Sequence, residues 1–218
     1  MSVWGRLVAA LRRVDPARLM AQGRAELGRV QRLEGPHALR VLARAIDLFQ
    51  AALAAGDRAE ATLALAQALR MKAERSPPEQ APLLRARAVA MLKALLSDRA
   101  IARDDSAHHR VLEALAAAWL PLPHDAPDSA ASLALLIRAR DTQSAAVAAL
   151  DRAARPGLWA HSLLRQADLD RGIAAHPLTP DAARHLAMAQ LATASAQDVL
   201  SRFSPDARPS AAHGLISP

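Results

Sequence analysis

An all-α fold built from antiparallel helical hairpins is what this sequence predicts, on composition, apolar spacing and turn chemistry. About a quarter of the 218 residues are Ala, the chain is 52% hydrophobic and 22% charged, and Tyr is absent beside two Phe and three Trp. Ala, Leu and Arg are strong helix formers, whereas strands draw on β-branched and aromatic residues for their half-buried faces. Apolar residues recur at steps of three and four, the period of one helix face. Cap and stop residues separate those periodic stretches.

The first stretch, MSVWGRLVAALRRV, places Trp4, Leu7, Val8 and Leu11 on one face, with Arg6, Arg12 and Arg13 elsewhere. Such a basic amphipathic helix can cap a helical stack by burying Trp4, Leu7 and Leu11, or lie on an anionic membrane as a peripheral contact. Arg12 and Arg13 cut its apolar run too short for a signal peptide, and no run in the chain approaches a membrane span. A cytoplasmic bacterial protein is the expectation.

Asp15-Pro16 reads as an N-cap followed by Pro at the first helical position. In the helix that follows, Arg18, Gln22, Ala25, Arg29 and Arg32 share a side opposite Met20, Leu27 and Val30. Gly35-Pro36 ends that helix and opens the next. Over 37–55, Leu39, Leu42, Ile46, Phe49 and Leu53 form one stripe, and Val41, Ala45, Leu48, Ala52 and Ala55 form a second beside it. Two adjoining stripes require more than one covering neighbour. Gly56-Asp57 then decides the architecture: Gly suits the left-handed residue closing a helix, and Asp suits the N-cap of its successor. A single rod through this corner would leave both stripes wet, whereas burial stabilises by about 25 cal/mol per Å2 of apolar surface. A hairpin is therefore expected.

Within 42–75, Leu48, Ala52, Gly56, Ala61, Leu65, Ala68 and Leu69 resemble the small-and-large pattern of a tetratricopeptide repeat. The Gly before the second helix and the Ala five residues later carry the likeness. Arg58 stands where that family has an aromatic residue, and its closing Pro is displaced to Pro77. The resemblance implies a helical solenoid that holds partner proteins in a groove; it carries over no ligand-binding residue.

Ser76-Pro77-Pro78-Glu79 has capping-box spacing. Helices are expected at about 81–97 and 106–119, then LPLPHDAPDS (120–129) interrupts with three prolines. The expected organisation is a hairpin region over 1–119, a linker at 120–129, a region of short helices (129–140, 143–155, 158–168, 180–193 and 195–203) over 130–203, and a disordered tail at 204–218. Thr179-Pro180-Asp181 repeats the cap-then-Pro pattern, and 173–187 resembles the turn of HEAT or variant leucine-rich repeats.

Candidate chemistry is sparse. The chain lacks Cys, which excludes disulfides, thiolate metal sites and cysteine nucleophiles. No phosphate loop, zinc signature or nucleophile elbow occurs. Adjacent His108 and His109 diverge by about 100° on a helix and read as solvated. His176 and His185 flank the Thr179-Pro180 turn without an evident third ligand. His161-Ser162 are sequence neighbours, a poor geometry for a base and its nucleophile. Asp168, Asp170 and Arg171 read as helix-end charges. No catalytic residue, metal or cofactor is assigned.

Charge is the remaining signal. Residues 1–40 hold 8 Arg against 3 acidic residues, while 105–218 hold 10 basic against 11 acidic. Arg18, Arg29 and Arg32, joined by Arg85 and Arg87 if helices stack in order, would form a basic patch able to grip phosphates. The chain's 26 Arg against two Lys also fit codon bias, with Arg as the default surface cation. The expected function is a non-enzymatic scaffold or adaptor that binds a protein or peptide partner; the alternative is a nucleic-acid-binding accessory protein using the Arg-rich N-terminal half.

Overall fold

The computed structural model describes residues 15–56 and 58–203. Among these the chain forms α1 (Pro16–Val30), α2 (Gly35–Ala55), α3 (Arg58–Arg75), α4 (Ala81–Leu96), the short α5 (Arg99–Arg103), α6 (Asp105–Trp119), α7 (Ala130–Ala148), α8 (Pro156–Ala175) and α9 (Ala182–Phe203), with no strand. Trp4, Leu7 and Leu11, Asp57 and the tail 204–218 lie outside the described residues.

Sequential helices fold back on each other: α1 on α2, α2 on α3, α3 on α4, α6 on α7, α7 on α8, and α8 on α9. Asp15 caps α1, its carboxyl accepting from Ala17 N at 2.9 Å ahead of Pro16. The corner after α2 turns at Gly56, whose φ of 120° is a conformation that side-chain-bearing residues rarely adopt. Gly56 N closes the helix by bonding back to Leu53 O at 3.3 Å. Both stripes of α2 are covered as their width requires. Val41, Leu42, Ala45, Ile46, Phe49 and Ala52 are buried, and Leu39, Leu48 and Leu53 are half-buried. Fully burying each large side chain here stabilises by about 1.5–3 kcal/mol.

A second order of packing follows from the small residues of α3. Ala61, Ala64, Ala66, Ala68 and Ala73 are buried, so α3 is approached on several sides. It meets α1 on one flank and α6 on the other, besides its hairpin partners α2 and α4. The helices α1, α3 and α6 thus form an inner row, with α2 and α4 behind it. One apolar core runs from Met20 in α1 to Ala118 in α6. A separate small core joins α8 and α9 through Ala160, Ala196 and Val199. Between the two, α7 buries Ser132, Ala139, Gln143 and Ala146, a set with no large apolar side chain.

The Pro-rich segment at 120–129 is a pinned connection. Leu122 is buried with Ala73 and Ala81. Asp125 accepts from Leu122 N at 2.7 Å and from Arg85 of α4 at 2.5 Å. Beside it, Lys93 of α4 and Arg138 of α7 lie 5.2 Å from the Trp119 ring centroid.

Three expectations about elements are corrected. The helices after 130 do not shorten: the breaks expected near 141 and 194 are absent, and α7, α8 and α9 run 19, 20 and 22 residues. Thr142 Oγ1 donates to Arg138 O at 2.7 Å and Thr193 Oγ1 to Ala189 O at 2.8 Å. Bonding to the carbonyl four residues back lets a helix continue past a residue that otherwise favours caps. The capping box at Ser76 does not form, because α4 starts at Ala81 after a turn in which Gln80 N and Ala81 N both bond Pro77 O. Thr179 donates to Ile173 O at 2.5 Å, closing the end of α8 instead of capping α9.

Candidate functional site

The inner row leaves a furrow. Its first part, about 350 Å3, is floored by Leu27 of α1, Leu63 and Ala64 of α3, and Ala114, Ala117 and Ala118 of α6. Its second part, about 470 Å3, runs over Ala116 and Ala117 of α6, Leu136 of α7, and Leu169 and Gly172 of α8. The two share Glu113, Ala117 and Arg165, so they adjoin across α6. Small residues of α3 and α6, Ala64, Ala114, Ala117 and Ala118, keep the middle of the floor low between Leu27 of α1 and Leu136 and Leu169 on the far side.

The rim is charged and paired. Glu60 bridges α1 to α6, bonding Arg24 at 3.0 Å and Arg110 at 2.6 Å. Glu113 of α6 bonds Arg165 of α8 at 2.9 Å. Arg70 is held by Glu74 one turn on. These guanidiniums are substantially exposed, apart from Arg70, and exposed ion pairs contribute at most about 1 kcal/mol each. They can exchange partners at little cost.

A second concavity lies between α1 and α2. About 680 Å3 in volume, it is lined by Arg29 and Arg32 from one helix end and His37, Arg40 and Arg44 from the next helix, over Ala25, Gly28, Leu33 and Val41. The turn over 31–34, ahead of Gly35 at φ 59°, positions it by reversing the chain between Arg29 and the Arg40–Arg44 face of α2. Arg40 Nη2 is 3.2 Å from His37 Nδ1 and Arg29 is 3.4 Å from Glu26.

This cleft contains part of the expected basic patch. It unites Arg29 and Arg32 but adds His37, Arg40 and Arg44, which the sequence reading passed over. Arg18 sits about 16 Å further along α1, eleven residues from Arg29 at 1.5 Å each. Arg85 is drawn into the Asp125 pair on α4, and Arg87 is exposed on the same helix. Those three do not line the cleft. The missed Arg40 and Arg44 had a legible signal, an i, i+4 pair on the polar side of α2.

The remaining polar residues correct several single-residue readings. His109 is not solvated: it is fully buried between α6 and α7, with Nδ1 donating to Ala146 O at 3.0 Å and Nε2 3.6 Å from Glu113. Its signal was a face shared with Leu112 and Ala116, also buried. Ser162 is buried as well, accepting from Gln143 Nε2 at 2.7 Å and donating to Glu113 Oε1 at 3.3 Å, while His161 beside it is exposed. In this chain of contacts the carboxylate stands between the hydroxyl and the imidazole. A nucleophilic triad needs the imidazole in the middle and an accessible hydroxyl, so this network ties α6, α7 and α8 together without activating Ser162.

Asp170 is likewise no helix-end charge, since α8 continues to Ala175. It is fully buried, bonded to His185 Nδ1 of α9 at 2.8 Å and to Arg140 Nε of α7 at 3.3 Å. Only Asp168 remains an exposed pair with Arg171. His176 is buried and accepts from Leu178 N at 3.2 Å. Among the described residues no three His, Asp or Glu side chains group as metal ligands, and no helix is long and apolar enough to cross a membrane. Compared with known proteins, the chain matches no family model, no curated protein and no solved structure.

Proposed function

We propose that the protein is a non-enzymatic scaffold or adaptor whose inner furrow holds a segment of a partner protein, as the tetratricopeptide resemblance of 42–75 implies. The observation that carries this reading is the apolar floor of Ala and Leu side chains contributed by α1, α3, α6, α7 and α8 beneath a rim of exchangeable Arg and Glu side chains. A groove of this kind admits a peptide backbone closely and buries its apolar side chains. Arg24, Arg110 and Arg165 would turn from Glu60 and Glu113 to acidic residues of the occupant. The buried polar clusters at His109 and Asp170 then serve as tie points between neighbouring helices.

The test places a photo-crosslinking amino acid at Gln67, an exposed furrow residue, and a control at Ala90 on α4. In cells of the native host, a discrete crosslinked partner is expected from Gln67 and not from Ala90. Filling the floor with Ala117→Trp should reduce that crosslink at least tenfold while leaving the circular dichroism spectrum and melting cooperativity intact. Equal capture with Ala117→Trp, in a folded variant, would exclude the furrow as the binding surface.

A further inference from the structure

The cleft between α1 and α2 is separate from the furrow, and we infer that it is a nucleic-acid backbone site, gripping successive phosphodiester groups with Arg29, Arg32, Arg40 and Arg44. Four guanidiniums and His37 line one concavity that no carboxylate lines. Arg32 and Arg44 have no ion pair among the described residues, and only Glu26 engages Arg29. Along the furrow Arg24, Arg70, Arg110 and Arg165 are each paired with a Glu, whereas among the four cleft arginines only Arg29 is. Guanidinium binds phosphate oxygens in a planar, bidentate fashion. Arg40 and Arg44 lie one helical turn apart, about 6 Å along α2, and Arg29 in the last turn of α1 and Arg32 in the turn after it face them across the cleft.

The shape selects a polymer over a small phosphate ester. All lining residues other than Leu33 and Val41 are exposed, so the cleft is an open trough. Its floor at Gly28 is unobstructed: a Cβ added there meets nothing within 4 Å. Among the described residues the surroundings disfavour a lipid surface, because the large exposed apolar side chains (Leu83, Ile137, Leu158, Leu178, Leu186 and Leu191) lie on other elements, none on α1 or α2. The trough carries no Phe or Trp on which bases could stack, so binding should depend on phosphates and hardly at all on base sequence.

The experiment is fluorescence anisotropy of the full chain with labelled 20-nucleotide single strands and 20-base-pair duplexes of two unrelated sequences. Four phosphate contacts predict an affinity that falls about 50- to 150-fold between 50 and 200 mM salt, nearly independent of sequence. Arg32→Gln with Arg44→Gln should weaken binding at least tenfold at 50 mM salt and lower the salt slope by about 1.5. Arg32→Lys with Arg44→Lys should keep most of the slope. Arg87→Gln with Arg184→Gln removes the same net charge on α4 and α9 and should leave affinity within twofold. The inference is overturned by no binding at 50 mM salt, by equal losses in the cleft and control variants, or by binding to vesicles of anionic phospholipid without binding to either oligonucleotide. None of these readouts depends on the furrow, so either site can fail alone.

Discussion

At the scale of single residues, the structure's polar groups work mainly by fixing backbone, and Asp125 shows how. Burial opposes its charged form, but the Leu122 N–H and the Arg85 guanidinium more than offset this and hold its carboxyl below the usual 3.8. A carboxyl whose pKa is lowered on folding stabilises the native state above its unfolded value, and that stabilisation disappears as pH falls through the folded value. Asp125→Ala should therefore cost about 1–2 kcal/mol at pH 7. The gap from wild type should stay constant up to pH 8 and narrow on the acid side of pH 4. Urea midpoints at pH 7, 5 and 3 check this; a gap that persists undiminished at pH 3 would mean that packing at the loop, and not the charge, is what matters. The same residue explains why a three-proline segment is held: Asp125 satisfies the turn around Leu122 and anchors it to α4.

Between elements, the decisive feature is how closely helix axes approach. Gly23 on α1 faces Phe49 on α2, and a Cβ at Gly23 would fall within 3.0 Å of three atoms of the fully buried ring. Gly23→Ala adds helix propensity worth about 1 kcal/mol, yet overpacking of this kind costs about 1–3 kcal/mol, and the ring has no free side to turn to. A net loss is expected on thermal melting, whereas Gly28→Ala, facing open space, should gain. If both substitutions stabilise equally, the α1–α2 contact is looser than the structure shows. These contrasts mark what sequence could reveal. Asp15, the Gly56 corner and the double stripe of α2 were legible because cap, turn and periodicity are local. Gly23 was not, because its meaning lies in a ring 26 residues away. The helices expected separately over 129–140 and 143–155, and over 180–193 and 195–203, are each one, and Thr142 and Thr193 near those junctions bond the carbonyl four residues back as the helix runs on. Ending the helix expected over 158–168 two residues before Asp170 hid that residue's place within α8, and with it the junction of α7, α8 and α9. The inner furrow was foreseeable from the Ala-rich faces only as a possibility of close approach; its course required the stacking order.

Across the whole molecule, the apolar core is divided unequally, and the division has a thermodynamic consequence. Large side chains such as Phe49, Leu42, Leu65, Leu69 and Leu92 sit in the core shared by α1 to α6. The α8–α9 hairpin clusters Ala160, Ala196 and Val199, with Trp159, Leu163, Leu164 and Leu200 partly covered, and outside that cluster Ile173 is its one large, fully buried aliphatic side chain. Its link to the rest passes through α7, whose buried residues are small or polar, and through the Ser162–Gln143–Glu113 and Arg140–Asp170–His185 contacts. In a stack where each helix meets chiefly its neighbours, stability is close to a sum of local terms. The C-terminal hairpin should therefore open by itself before the main core does. Native-state hydrogen exchange should show amides of α8 and α9 exchanging through an opening with lower free energy than those of α2 and α3. Val199→Ala, which removes buried methyl groups from the smaller core, should lower the α8–α9 opening energy by about 1–2 kcal/mol and leave α2 and α3 unchanged. A uniform opening energy along the chain, or a matching decline in α2 and α3, would show instead that the polar contacts through α7 couple the two cores into one cooperative unit. The furrow crosses that junction at Glu113 and Arg165, so an occupant bridging α6 and α8 would raise the exchange protection of the C-terminal hairpin more than that of any other element.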